Sequence, residues 1–183
     1  IKDILLQNTL VNLSFISDDE EKTFLMGLIF SFVYQYLTQA ELNQNTLRHY
    51  FVIEEAHRLL KDTSVNVSSE QANVKGKALD TFNSILSEVR SYGEGICIVE
   101  QIPSKISTDV LKNTDTKIIH RTIARDDREL LGDSMDLDDS QKREFAHLFP
   151  GEAVVYQSQF DNAVKVRIPH KKITPSQLPK HSM

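Results

Sequence analysis

An α/β fold, with a mostly parallel sheet, helices on both faces and a closing antiparallel hairpin, is predicted by three features of the sequence. Residues 50–53 (YFVI) and 96–99 (ICIV) are short, fully apolar runs, which read as strands buried on both faces of a parallel sheet. These runs, and a third strand-like stretch at residues 117–121 (KIIHR), alternate with longer helical segments, the pattern of strands joined by helical crossovers. Residues 152–157 and 163–168 flank Phe160-Asp161-Asn162 at the spacing of a hairpin.

Taken in order, residues 9–16 (TLVNLSFI) alternate apolar and polar and then run apolar, which predicts a strand. Ser17, with Glu20 three positions on, has the pattern of a capping box for a helix over 19–39. Phe24, Leu25, Leu28, Ile29, Phe32, Val33 and Leu37 surround most of that helix, so burial on several sides is expected. Residues 39–46 form a polar connector, and 61–75 lack periodicity and read as a loop or insertion. A helix from Lys75 or Lys77 to Tyr92, striped by Leu79, Phe82, Ile85, Leu86 and Val89, ends at Gly93 and Gly95. Pro103 opens a short helix through about 112. Helical segments at 126–131 and 141–148 precede the hairpin. Residues 1–170 are read as one domain and 171–183 as an irregular tail.

The 183 residues suit one ordinary domain or a large part of one. Forty per cent apolar and 26% charged residues are enough to build a core. A net charge of −5 argues against a generally basic, adhesive protein, so nucleic-acid contact must come from local loops or from regions outside this chain. The single cysteine, Cys97, reads as a core filler that cannot form an internal disulfide, which suits a reducing, cytoplasmic setting. The most apolar stretch, 24–37, contains Gln35 and is shorter than the roughly 18–20 residues a membrane span requires. No signal-peptide pattern is present, and a start at Ile1 close to a strand leads us to expect a piece of a longer protein.

Chemistry concentrates at strand ends: Glu54-Glu55 after the first apolar run, Gln101 after the second, and His120-Arg121 at the third. Ligands of open α/β sheets bind beyond the carboxyl ends of the strands. Paired carboxylates there suit a nucleotide and its hydrated magnesium ion, one holding the metal and the other orienting or deprotonating water. A carboxamide on the next strand can donate to phosphate and accept from that water. Against this stands a plainer account, in which Glu54 and Glu55 open a surface helix, since acids are favoured in a first turn.

Three blocks, FVIEEAHRLL, SEVRSYGEGICIVEQIPSKI and VLKNTDTKIIHRT, together resemble the HerA–FtsK group of P-loop ATPases, nearest to its HerA-like branch. The resemblance runs over residues 9–168 and rests on the order and spacing of the blocks as well as their residues. It implies a RecA-like core in a hexameric ring that drives double-stranded DNA through its centre with ATP and Mg2+. By position it implies that Glu54 closes the Walker B strand and supports magnesium, that Glu55 activates water, and that Gln101 is the sensor glutamine. Arg90 or Arg121 would be the arginine finger acting across subunits, unless either is an ordinary surface ion-pair partner. A nuclease or other effector is the expected companion, in DNA repair or antiphage defence, and a membrane is not.

The phosphate loop of that family, G-x-x-x-x-G-K-[ST], is missing: Gly27 precedes Leu28, and Gly76-Lys77 precedes Ala78 with Gln71 at the first glycine position. The chain alone is therefore expected to hydrolyse ATP poorly or not at all. It reads as the C-terminal part of a complete ATPase rather than a degenerate module, because both glutamates and the glutamine are kept. A conjugative DNA-transfer ATPase and a non-catalytic ring-assembly module are the alternatives. His57 lacks the H-E-x-x-H spacing of a zinc site and reads as a packing or capping residue, and Asp126, Asp127 and Arg128 as a helix start with surface pairs. Lys75 and Lys77 are candidates for contact with a DNA backbone, or else part of a solvated loop.

Overall fold

The computed structural model describes residues 5, 7–39, 46–60, 85–86 and 88–171. It divides into two compact units, Ile1–Asn113 and Thr114–Met183.

In the first unit, helix α1 (Asp19–Gln39) forms where it was predicted. Its N-cap is Asp18 rather than Ser17: the Asp18 carboxylate accepts the Glu20 and Glu21 amides, both at 2.8 Å. The Asp18 carboxylate, one residue on, satisfies two of the free first-turn donors, so the cap falls there rather than at Ser17. Phe30, Val33 and Leu37 are buried, but Phe24, Leu28 and Phe32 are exposed. The expected all-round burial is thus corrected, for α1 turns only one side to the sheet. Residues 9–16 are not a strand. No strand pairs with them among the described residues, and Asn12 Oδ1 instead accepts the Ser14 amide at 2.9 Å, a local turn that competes with extended backbone.

Strands β1 (His49–Glu54) and β2 (Glu94–Val99) pair in parallel, with Phe51 opposite Ile96, Ile53 opposite Ile98 and Glu54 opposite Val99. On the inner face, Ile53 joins Phe30, Ala56, Ile85, Ile106 and Val110 in the core, with Phe51, Ile96 and Ile98 packed against it. The rings of Phe30 and Phe51 lie 5.3 Å apart. The outer face is open: Tyr50, Val52 and Val99 are exposed, and Cys97 with them. The expectations of strands covered on both faces, and of Cys97 as a core filler, are therefore corrected. Only one face of this two-stranded sheet has a helix layer among the described residues.

Between the strands, helix α2 (His57–Leu60) follows β1. Residues 61–84, which include most of the predicted insertion and helix together with Lys75 and Lys77, lie outside the described residues. Ile85, Leu86 and Glu88 are helical and lead into a 3-10 turn at Val89–Tyr92. Gly93 ends that turn as predicted, with φ 74°, and a Cβ there would meet the Thr46 carbonyl oxygen at 2.4 Å, so only glycine fits. The helix expected at Pro103 is split into a 3-10 turn, Pro103–Lys105, and helix α3 (Thr108–Asn113).

In the second unit, β3 (Lys117–Ile119), β4 (Glu152–Tyr156) and β5 (Val164–Arg167) form an antiparallel sheet in the order β3-β4-β5. The hairpin is as predicted. β3, however, does not extend the parallel sheet: Lys117 pairs with Tyr156 and Ile119 with Val154. Its three residues are too few for periodicity to choose a partner, and the free edge of β4 takes it. The Lys117 amine is tucked inside, donating to the Thr114 carbonyl at 2.7 Å and lying 5.7 Å from the centre of the Tyr156 ring. Helices α4 (Arg125–Asp133) and α5 (Asp139–Glu144) precede the hairpin, the latter opened by an Asp138–Gln141 capping box. Asp127, expected at the surface, is buried. Among the described residues no helix is long and apolar enough to cross a membrane.

Candidate functional site at the ends of two parallel strands

The two parallel strands are tied at both ends by a carboxylate and an imidazole. At the start, His49 Nδ1 lies 2.7 Å from Glu94 Oε1. At the carboxyl end, where the candidate chemistry lies, His57 Nδ1 lies 2.8 Å from Glu100 Oε2.

Glu54 is the last residue of β1 and is exposed on the open face of the sheet. Glu55 follows at once, its amide donating to the Val99 carbonyl at 3.1 Å, so the parallel ladder continues one residue past the strand. The backbone then reverses: Glu55 has φ 51°, a left-handed conformation that L-residues other than Gly, Asn and Asp seldom adopt. Ala56, fully buried, anchors the turn from below. The predicted alternative, two acids in the first turn of a helix, does not occur, since α2 starts at His57.

The Glu55 carboxylate is about half exposed and paired. Arg58 Nε and Nη2 lie 2.9 and 2.8 Å from Glu55 Oε2. The same guanidinium pairs with Asp19 at the start of α1. Hydrogen bonding to Glu55, then to Asp19, pushes the guanidinium further up from its ordinary value. Arg58 had no predicted role, although its i,i+3 spacing from Glu55 was readable.

Glu100 is the larger omission. Its side chain is 6% exposed. Oε2 accepts from the His57 amide at 3.0 Å and faces His57 Nδ1. Oε1 accepts from the Gln101 and Ile102 amides at 2.8 and 3.1 Å. Burial pushes this carboxyl up, but the hydrogen bonds from His57, Ile102 and Gln101 outweigh it and hold the group below the usual carboxylate range. No sequence signal separated Glu100 from any other polar residue at a strand end.

Gln101, two residues past the end of β2, is exposed. Glu54, Glu55 and Gln101 thus stand at or just past the carboxyl ends of two adjacent parallel strands. Arg90 lies in the 3-10 turn before β2, and its side chain is outside what the structure describes. His120 and Arg121 belong to the second unit, where Arg121 Nε donates to the Ala146 carbonyl at 3.2 Å and His120 Nδ1 lies 3.1 Å from the Glu152 carbonyl oxygen. The Glu54 carboxylate supplies hard oxygen donors on the open edge, of the kind magnesium takes beside its waters and a substrate's phosphates, whereas Glu55 Oε2 is already held by Arg58.

This α/β arrangement has known counterparts. Its fold is similar to VirB4 of Thermoanaerobacter pseudethanolicus, with a TM-score of 0.63 at 16% identity over 88% of this chain and 40% of that one. It is also similar to the genome packaging NTPase B204 of Sulfolobus turreted icosahedral virus 2, solved with AMPPCP, with a TM-score of 0.51 at 16% identity over 67% and 53% of the two chains. At such identities the likeness establishes the fold alone.

In sequence, the chain is similar to the DNA double-strand break repair helicase HerA of Pyrococcus furiosus, at 31% identity over 118 residues, 64% of this chain and 20% of that protein. It is 29% identical over 118 residues to the probable helicase MJECL08 of Methanocaldococcus jannaschii, covering 64% of this chain and 21% of that protein. The chain is thus HerA-like in sequence, as its three blocks indicated, and spans about a fifth of the length of these curated relatives (20% and 21%). No protein-family model matches it.

Proposed function

We propose that this chain is the C-terminal part of the RecA-like core of an ATP-driven DNA translocase or helicase. The observation that carries this reading is the register of β1 and β2, with a carboxylate pair ending one strand and Gln101 following its parallel neighbour. The sequence similarity to HerA helicases supports that class of motor.

In this reading Glu54 supports Mg2+ through its waters, and the ion offsets charge on the nucleotide phosphates. Glu55 accepts a proton from, or orients, the attacking water. Gln101 donates one amide hydrogen to the terminal phosphate and accepts from that water, reporting the presence of the phosphate to the strand end. The phosphate loop comes from the rest of the protein. Arg90 or Arg121 reaches a neighbouring subunit's nucleotide in a hexameric ring, and Lys75 and Lys77 contact the backbone of double-stranded DNA.

The test is hydrolysis by the protein with its phosphate-loop half, with and without double-stranded DNA. Glu55→Gln should lower turnover by about 10² to 10⁴ while nucleotide still binds. Turnover undiminished in Glu55→Gln would sink the reading; no hydrolysis by the unaltered protein would favour a ring-assembly module.

A further inference from the structure

One carboxylate joins the two loops that carry the proposed chemistry. Glu100 sits one residue past β2, opposite the place where β1 ends, and its side chain is withdrawn from solvent. Its two oxygens divide their work. Oε2 takes the His57 amide and faces the His57 ring, holding the loop two residues after Glu55. Oε1 takes the Gln101 and Ile102 amides, fixing the backbone from which the Gln101 side chain projects. A carboxylate is suited to this because it accepts at both oxygens and donates at neither. Three of the four partners are backbone amides, which cannot turn away to find other acceptors.

We infer that Glu100 is a positioning residue, which sets the separation of Glu55 and Gln101 by pinning both strand-end loops through one buried side chain. The inference rests on the ATPase reading and adds to it a residue that touches neither nucleotide nor water. Positioning groups of this kind are worth about 10- to 100-fold in activity, and small displacements of reacting groups cost a similar factor.

The substitution Glu100→Gln separates the two halves of the device. Its carbonyl oxygen can still accept the Gln101 and Ile102 amides, but its NH2 group then faces the His57 N–H, and two donors meet. Glu100→Ala removes both anchors.

In the protein with its phosphate-loop half, Glu100→Gln should lower kcat about tenfold and Glu100→Ala up to about 100-fold. Binding of a non-hydrolysable ATP analogue should be unchanged in both. A decisive readout is the combination with Glu55→Gln. A residue that acts by placing Glu55 has little left to place once that carboxylate is gone, so Glu100→Gln should then add little further loss. A loss that multiplies in the double variant, or that runs in parallel with lost analogue binding, would make Glu100 a general stabiliser and overturn the inference. Wild-type turnover in Glu100→Gln and Glu100→Ala would do the same, while leaving the ATPase reading intact if Glu55→Gln alone is inactive. Should Glu55→Gln alone keep full turnover, the ATPase reading falls and this inference with it.

Discussion

Glu55 holds a left-handed backbone at the position assigned to water activation, and that conformation has a measurable thermodynamic signature. At an ordinary site, alanine is more stabilising than glycine by about 0.5–1 kcal/mol, because glycine loses more backbone freedom on folding. At φ 51° a Cβ meets the following carbonyl, at a cost of roughly 1–2 kcal/mol. Both Glu55→Gly and Glu55→Ala lose the half-exposed pair with Arg58, so that contribution cancels between them. The difference that remains favours glycine by about 0.5–1 kcal/mol, the reverse of the usual order. With an m-value of about 1–3 kcal/mol per molar urea, the glycine variant should unfold at a midpoint about 0.2–1 M higher than the alanine variant. Equilibrium urea unfolding followed by circular dichroism measures this directly, and both variants should be inactive in hydrolysis. An alanine variant as stable as the glycine variant, or more so, would refute the claim that the turn stores strain at this residue.

Further expectations concern acid stability and subunit contact. The Glu100 carboxyl titrates below its usual value of 4.5 in the folded protein, so its contribution to stability is present above that value and lost as pH falls through the lower, folded value. Replacing it by Gln should flatten the acid side of a stability–pH curve, and an unchanged curve would deny the group that role. If the protein assembles in the proposed ring, mixing Glu55→Gln with Arg90→Ala, or with Arg121→Ala, should restore hydrolysis only with the arginine that acts across the subunit boundary. Removing that finger alone should cost about 10³ to 10⁵ in rate.

What was legible in the sequence was whatever depended on short-range pattern. The apolar runs of β1 and β2, the length of α1, the Gly93 stop and the closing hairpin all follow from periodicity and from backbone freedom at one residue. What was not legible depended on partners distant in the chain. Residues 9–16 have the composition of a strand but join no ladder among the described residues, and a local Asx turn forms at Asn12. β3 reads as a parallel strand from its neighbours in sequence, yet its partner is β4, some thirty residues on (Ile119 opposite Val154). At the site, Glu54, Glu55 and Gln101 were visible because a carboxylate pair and a carboxamide at the ends of apolar runs are residue types suited to a nucleotide and water. Glu100 follows its run even more directly than Gln101 but was not singled out: its importance lies in four contacts spread over His57, Gln101 and Ile102, and residue identity alone does not disclose convergence.

Cys97 stands opposite Val52 on the bare side of the sheet, and no other thiol occurs in these 183 residues. Maleimide chemistry therefore modifies this chain at a single point, mid-strand and two residues before Val99, whose carbonyl receives the Glu55 amide. The speed of that modification, compared between this chain alone and the chain joined to the proposed phosphate-loop half, is a direct gauge of how much of the sheet that half covers.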